Sequence, residues 1–356
     1  MLTRLRLHQI RCFGTVEARF DPAVVEVFTG ANAQGKTSLL EAICLLLRLQ
    51  SPRTQSVADL VRFRDDRGAV EGDFADRLLR VVIGSERRFQ VDGQVCGRSR
   101  SYLESSGLVV WMGNEDMALV KGGGEGRRRF LDFAASQIHP GYLDSLRHYE
   151  RALRARNHLL KQPSLDFRQL DAYAKLMVAH GAPVTAARRD LVARLGPEAA
   201  FFQDEIGGRH EVLALRYDDA SPGGLAAALA ETGGEEQRRR VTVVGPHRDD
   251  LVLEVNALAA GAFASEGQQR TVALALKLAQ ARVLRAATER WPLLLVDDVF
   301  GELDPGRRHR LWANLPRQAQ CFVTTTTLAW LREEGDRAVR VRRVADGMLG
   351  NSPDPS

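Results

Sequence analysis

The sequence predicts an α/β protein in which one sheet is assembled from both ends of the chain and an α-helical lobe is inserted between them. Three observations predict it. A short, β-branched apolar run, Ala23 to Thr29, leads into a glycine-rich loop and then a stretch of helix formers. A second apolar run near the far end, Leu293 to Val296, stops at Asp297-Asp298. Between the two, the pattern changes from strand-like alternation to long helical periodicity.

The glycine-rich loop is the most specific stretch. Gly30-x-x-x-x-Gly35-Lys36-Thr37 follows a predicted strand and precedes a predicted helix from Ser38 to Leu49, which is the context a phosphate loop requires. The backbone N–H groups of Gly30, Ala31, Asn32, Ala33, Gln34, Gly35, Lys36, Thr37 and Ser38 are placed to cradle phosphates at a helix N-terminus. Lys36 would reach the outer phosphates, and the Thr37 hydroxyl would ligate Mg²⁺. A glycine-rich turn with a surface lysine would satisfy the composition but not the context. The chain carries 50 Lys and Arg together, and only Lys36, Lys121, Lys161, Lys175 and Lys277 are lysine. A compact ammonium at Lys36, in a chain that otherwise uses arginine, suits a site where a planar fork does not fit.

Whole-chain properties set the class. The chain has 356 residues, 44% hydrophobic, with a net charge of +5. Two domains, or one with an insertion, are expected, with a modest bias toward anionic partners. No apolar run is long enough to span a membrane, since "ICLLLRLQ" is interrupted by Arg48, and "MLTRLRLHQIRCF" lacks a signal-peptide core. Cys12, Cys44, Cys96 and Cys321 show no metal spacing and read as reduced thiols of a cytoplasmic protein. The final "GNSPDPS" reads as a frayed tail.

Along the chain, Leu2 to Ile10 and Thr15 to Phe20 alternate as strands, Ala69 to Val91 holds several short strands, and Gly107 to Met112 is a buried one. From Asn114 to about Gly207 the pattern is helical; Tyr142, Leu146, Tyr149, Leu153 and Leu160 form one stripe. Gly223-Gly224 and Gly233-Gly234 punctuate the next stretch, and strands return from about Val241. The expected organisation is an ATPase domain from residues 1–112 and 242–356, with a helical lobe at 113–241.

Two late motifs complete the chemistry. A fully buried parallel strand reads as continuous apolar sequence, and carboxylates at its C-terminal end point to the ligand crevice. Asp297 is therefore expected to hold Mg²⁺ and Asp298 to polarise the attacking water, although the pair could also cap a turn. Ser265-x-Gly267-Gln268-Gln269, just before an amphipathic helix, offers a hydroxyl and helix-terminal N–H groups for a second phosphate contact. Read blandly, it is only a helix cap.

Ser265 to Gln269 resembles the signature motif of ABC-type ATPases, and "GELDP" (Gly301 to Pro305) resembles their D-loop. That resemblance implies a P-loop ABC-type ATPase domain and a homodimer that sandwiches two ATP molecules, with Ser265, Gly267 and Gln268 reaching the partner's nucleotide. Transporter subunits place these motifs closer together, and the insert is too short and interrupted for a long coiled coil. Over nearly its full length the chain resembles the RecF family. The residues carrying the resemblance are "LRLHQIRCFG", "GANAQGKTSLLEAI", "RRRFLD" (Arg127 to Asp132), "RARNHLLK" (Arg154 to Lys161), "VGPHRDDL" (Val244 to Leu251), "SEGQQR" and "LLLVDDVFGELD". It departs at Gly301, where Ser is common, and at Asn114, where Pro is common; Thr325 and Thr326 follow "CFVT" in place of the His of typical ABC ATPases.

The resemblance implies slow, DNA-stimulated ATP hydrolysis with Mg²⁺. It also implies action at single-strand gaps on single- and double-stranded DNA, with RecR and RecO as partners and RecA indirectly. Arg127, Arg128 and Arg129 precede the helical lobe's basic helix, which carries Arg147, Arg151 and Arg154 on one face. Arginines in a row on a rigid element suit phosphate contacts without sequence preference, although such faces are commonly just solvated. Two other readings use the same residues: a nucleotide-gated DNA-binding scaffold with little turnover, and the ATPase subunit of a transporter.

Overall fold

The computed structural model describes residues 1–54, 56–207, 211–333 and 337–351. Two compact units divide the chain, one comprising Met1–Glu115 and Glu289–Ser356 and the other Asp116–Thr288. The first unit opens with β1 (Leu2–Ile10), β2 (Phe13–Arg19), β3 (Val25–Thr29) and α1 (Lys36–Arg48). It continues with β4 (Gly68–Phe74), β5 (Arg77–Ile83), β6 (Arg88–Val91), β7 (Gln94–Val95), α2 (Ser99–Ser105) and β8 (Val109–Gly113). The second unit holds α3 (Met117–Lys121), α4 (Gly124–Ile138), α5 (Tyr142–Leu160), α6 (Phe167–Gly207), β9 (Leu213–Asp218), α7 (Leu225–Glu231) and α8 (Gly233–Arg239). It closes with β10 (Asp250–Val255), β11 (Leu258–Ala259), α9 (Ala260–Phe263) and α10 (Glu266–Thr288). The chain then returns to the first unit through β12 (Leu293–Asp297), α11 (Pro305–Asn314), β13 (Cys321–Thr325), β14 (Val339–Ala345) and β15 (Met348–Asn351).

The first unit contains two six-stranded sheets. One is antiparallel, in the order β2-β1-β4-β5-β6-β7. The other has the order β15-β14-β3-β13-β12-β8 and is parallel except for β15. Their sequences differ for a physical reason. Strands β8, β12 and β13 are buried at every residue and each opens on an apolar run of at least three residues, whereas β4 alternates buried and half-buried because one face is less covered. Helix α1 packs against strands of both sheets, so it is buried without interruption from Leu39 to Arg48 and is apolar on nearly all sides. The parallel sheet is indeed built from both ends of the chain, with β3 lying between β13 and β14. Leu2 and Gln320 exchange reciprocal backbone-to-amide hydrogen bonds, each 2.7 Å.

In the second unit, α6 runs 41 residues through Pro183 and Pro197 and packs along α5 and α10. The first strands to return after Val241, β10 and β11, do not join the parallel sheet. Strand β10 pairs with β9 from Asp250↔Asp218 to Val255↔Leu213 and with β11, forming a separate three-stranded antiparallel sheet. Texture alone places the return to the ATPase domain at residue 242, while the compact units divide after Thr288. The difference is this small sheet together with α10, whose length lies against α6. The "GNSPDPS" tail begins within β15, where Gly350 pairs with Arg343, and its residues 352–356 lie outside the described residues.

Polar side chains knit the second unit together. Arg156, 6% exposed, donates to Glu236 Oε2 at 2.6 Å and to Thr242 Oγ1 at 2.8 Å. Arg188 donates to Asp132 Oδ1 at 2.8 Å and to the Pro246 carbonyl at 2.6 Å. His247 faces the Thr242 carbonyl through Nε2 at 3.1 Å, so that nitrogen carries the proton and Nδ1 accepts from the Tyr149 hydroxyl at 2.6 Å. Burial pushes the His247 imidazole down to about 4, helped by Arg248, Arg128 and Arg188 and opposed by the Thr242 carbonyl.

A histidine held neutral in the folded state protonates first in the unfolded chain. The stability it allows is therefore present above pH 6.5 and lost as pH falls from 6.5 toward 4, by about 3 kcal/mol in all. Urea unfolding between pH 7 and 4 is expected to show that loss in the wild type, and a shallower slope in His247→Gln.

Candidate nucleotide site

The loop between β3 and α1 is shaped by contacts that admit no side chain at two positions. Gly35 caps α1 with φ 106°, and a Cβ there would meet Cys12 Sγ at 2.4 Å. A Cβ on Gly30 would lie 2.2 Å from the Val344 carbonyl oxygen, on β14. The turn of the β14–β15 hairpin also donates the Asp346 N–H to Gln34 Oε1 at 2.6 Å. This C-terminal bracing escapes motif reading, although the Asp346-Gly347 pair is a hairpin-turn signal in its own right. Within the loop, Lys36 Nζ donates to the Gly30 carbonyl at 2.8 Å and to the Ala31 carbonyl at 2.9 Å. Burial pulls the Lys36 pKa below that of a free lysine, and Asp298 and Asp297 pull it the other way.

Parallel pairing sets Asp297, last residue of β12, beside Thr324 of β13. The Thr37 hydroxyl lies 2.8 and 2.9 Å from the two carboxylate oxygens of Asp297, and the Thr324 hydroxyl donates to Oδ1 at 2.7 Å. Burial raises the Asp297 pKa, while the Thr324 and Thr37 hydrogen bonds lower it and Glu115 adds repulsion. Asp298 turns out of the strand in a left-handed conformation, φ 53°, anchored by its N–H to Thr324 Oγ1 at 3.0 Å. Its Oδ1 is buried without a hydrogen-bond partner among the described residues.

A cavity of about 720 Å³ opens over these groups, lined by Asn32, Ala33, Gly35, Lys36, Thr37, Ser38 and Asp298 together with Arg11, Cys12, Arg53, Asp59, Val61 and Phe63. Its size falls within the roughly 300–1,000 Å³ of small-molecule pockets. A helix N-terminus, an ammonium and a hydroxyl on one wall suit a polyphosphate. The Thr37 hydroxyl and Asp297 carboxylate are hard oxygen donors already in contact, a set that fits Mg²⁺. Arg11 and Arg53 are tied to the buried Glu41, at 3.2 and 4.0 Å.

The remaining predicted residues lie elsewhere. Ser265, Gly267 and Gln268 belong to the second unit, at the start of α10. There the Ser265 hydroxyl accepts from the Gln268 N–H at 3.3 Å, and Gln268 Oε1 accepts from the Ser265 N–H at 2.7 Å, a capping box. In "GELDP", Asp304 caps α11 by accepting from the Arg307 N–H at 3.0 Å. The Thr325 hydroxyl donates to the Thr327 carbonyl at 2.8 Å and is buried, whereas Thr326 is exposed. Among the arginines, Arg127 forms a two-pronged ion pair with Asp250, at 2.8 and 2.7 Å, and Arg128 donates to the Asp249 carbonyl at 2.8 Å. Arg129, Arg147, Arg151 and Arg154 are exposed; Arg147 and Arg154 make loose ion pairs along α5 with Asp144 and Glu150, at 3.9 and 3.8 Å.

Comparison with known proteins places this geometry in a lineage. Residues 4–101 match the description of an AAA domain. The chain is 37% identical over 345 residues to the DNA replication and repair protein RecF of Symbiobacterium thermophilum, covering 92% of each. It is 38% identical over 367 residues to that of an Anaeromyxobacter species, covering 98% of each. The chain belongs to the RecF family. A solved RecF–ATP structure, of the recombination mediator in the RecFOR pathway, matches with a TM-score of 0.88 at 27% identity, covering 99% of this chain and 97% of that one. An Smc head bound to the winged-helix domain of ScpA matches with a TM-score of 0.56 at 14% identity and shows the shared fold alone. The fold is that of the ABC-type ATPases to which RecF and Smc heads belong.

Within this RecF-family site, Thr324 is the residue that motif reading overlooks, because its hydroxyl matters only through the strand next door. Thr324→Val keeps the shape and removes one of the two hydroxyls serving a buried carboxylate. Thermal or urea unfolding is expected to show a loss of about 1–3 kcal/mol.

Proposed function

We propose that this chain is a DNA-binding ATPase that closes as a homodimer on two ATP molecules with Mg²⁺. It acts at single-strand gaps in recombinational repair, where with RecO and RecR it helps to load RecA. The observation that carries the nucleotide part is the convergence of Lys36, Thr37 and Asp298 on one cavity, with Asp297 hydrogen-bonded to Thr37. The names of the RecF relatives support the repair part.

In this reading the loop N–H groups and Lys36 hold the β- and γ-phosphates. Thr37 and Asp297 hold Mg²⁺, which neutralises charge on the phosphates when bound. The unpartnered Oδ1 of Asp298 accepts a proton from the attacking water. Ser265, Gly267 and Gln268 act in trans on the nucleotide of a second copy. Their capping box presents an exposed serine at the N-terminus of the 23-residue helix α10, which suits a phosphate. DNA is held by its backbone through Arg129, Arg147, Arg151 and Arg154. The ion pairs of Arg147 and Arg154 are solvated and weak, so phosphates can displace them. Arg127 and Arg128 contribute by fixing the start of α4 rather than by touching DNA.

Two experiments test this. Light scattering with ATP and Mg²⁺ is expected to show a dimer for the wild type and monomers for Lys36→Met and for Ser265→Arg. Lys36→Met should fail to bind ATP, whereas Ser265→Arg should bind it nearly normally. A Ser265→Arg protein that still dimerises with ATP would reduce the motif to a structural cap. In the second, Asp298→Asn is expected to bind ATP and dimerise but hydrolyse at least about a hundredfold more slowly. Normal turnover by Asp298→Asn would assign water activation to another group, and negligible turnover by the wild type would favour the scaffold reading.

A further inference from the structure

The nucleotide cavity has a wall that phosphates do not explain. Opposite in character to Lys36 and Thr37, the side chains of Cys12, Val61 and Phe63 line it with apolar surface. Phe63 is 85% exposed, more than any other large apolar side chain among the described residues. A single exposed phenylalanine needs no explanation by itself. This one lines the same cavity as Lys36 and Thr37 of the phosphate loop.

The segment carrying it is fixed rather than loose. Val61 bridges Ile10, and the Arg62 N–H donates to the Gln9 carbonyl at 3.0 Å. The Arg11 N–H donates to the Leu60 carbonyl at 2.8 Å, so the segment is laced to the β1–β2 turn on both sides. The turn closes when the Asp65 N–H donates to the Arg62 carbonyl at 3.0 Å, with Arg64 in a left-handed conformation at φ 74°. The Arg64 guanidinium lies 5.5 Å from the Phe63 ring centroid. A cation near the ring restricts its orientation and leaves an aromatic surface for a second flat partner.

We infer that Phe63 is the stacking platform for the base of the bound nucleotide, with purines held better than pyrimidines because they cover more of the ring. This rests on the nucleotide reading of the phosphate loop and adds to it the residue that recognises the base. Stacking is tolerant of base identity, so Phe63 sets purine preference through contact area. The apolar surface of Val61 and Cys12 flanks the base, and no charged group is required there. Covering the ring also removes from water its exposed apolar surface.

The test measures Mg²⁺-dependent binding of ATP, CTP and inorganic tripolyphosphate by calorimetry to the wild type, Phe63→Ala and Phe63→Trp. Phe63→Ala is expected to weaken ATP about tenfold, to shrink the preference for ATP over CTP, and to leave tripolyphosphate binding unchanged. Phe63→Trp is expected to restore ATP affinity. Unchanged ATP affinity in Phe63→Ala would overturn the inference, as would equal losses for ATP and tripolyphosphate, which would mark a disturbed loop. A wild-type protein that binds neither ATP nor tripolyphosphate would refute the phosphate-loop reading itself, and this inference with it.

Discussion

A carboxylate buried at the end of a parallel strand is costly unless hydroxyls or cations reach it, and Asp297 is 8% exposed. It is reached by Thr37 from the start of α1 and by Thr324 from the neighbouring strand. The cavity depends on this junction. It fixes the register of β12 against β13, the orientation of the first turn of α1, and through the Asp298 N–H the turn that aims the next carboxylate. Segments far apart in the sequence are thereby held to within hydrogen-bond distance of one another, and the chemistry of the site is a consequence of that compensation.

The second unit solves a related problem differently. Its motifs "RRRFLD", "RARNHLLK" and "VGPHRDDL" are rich in charge, yet much of that charge is internal. Arg127 pairs with the Asp250 carboxylate, Arg128 donates to the Asp249 main-chain carbonyl, Asp132 meets Arg188, and the Thr242 N–H donates to Asn157 Oδ1 at 2.8 Å. Ion pairs such as that of the buried Arg188 with Asp132 contribute little net stability, but removing one partner leaves an uncompensated charge. They therefore punish alternative packings of the helices more than they reward the native one. The exposed arginines of α5, Arg147, Arg151 and Arg154, are a distinct population that faces solvent.

The phosphate loop, β12 and the two-ended parallel sheet were legible because each is signalled locally: continuous apolar runs, glycines where the backbone needs them, and carboxylates at a strand end. The role of β10 and β11 was not. An antiparallel strand of the second unit and a strand of the first look alike in sequence, and only pairing with β9 assigns them. A basic cluster is likewise silent about its partners, so Arg127 and Arg129 look equivalent until Asp250 is placed beside the former. Ser265 caps its own helix through its hydroxyl and remains exposed, so in its case the cap alone does not decide between the two readings. The bracing of the loop by Val344 and Asp346 depends on contacts between opposite ends of the chain, which no local pattern encodes.

That bracing has a consequence for how the molecule is made. Among the described residues, strand β3 pairs with β13 and β14 alone, so although it is synthesised early it has no strand partner until the last stretch of chain exists. The second unit, Asp116–Thr288, is continuous and has all its strand partners within itself. On a ribosome it can fold as it emerges, while the phosphate loop waits, half-dressed, for the C-terminal hairpin. A chain cut short before that hairpin would retain every residue of the loop and still lack the wall that gives it shape, so unfinished copies are poorly equipped to compete for nucleotide with finished ones.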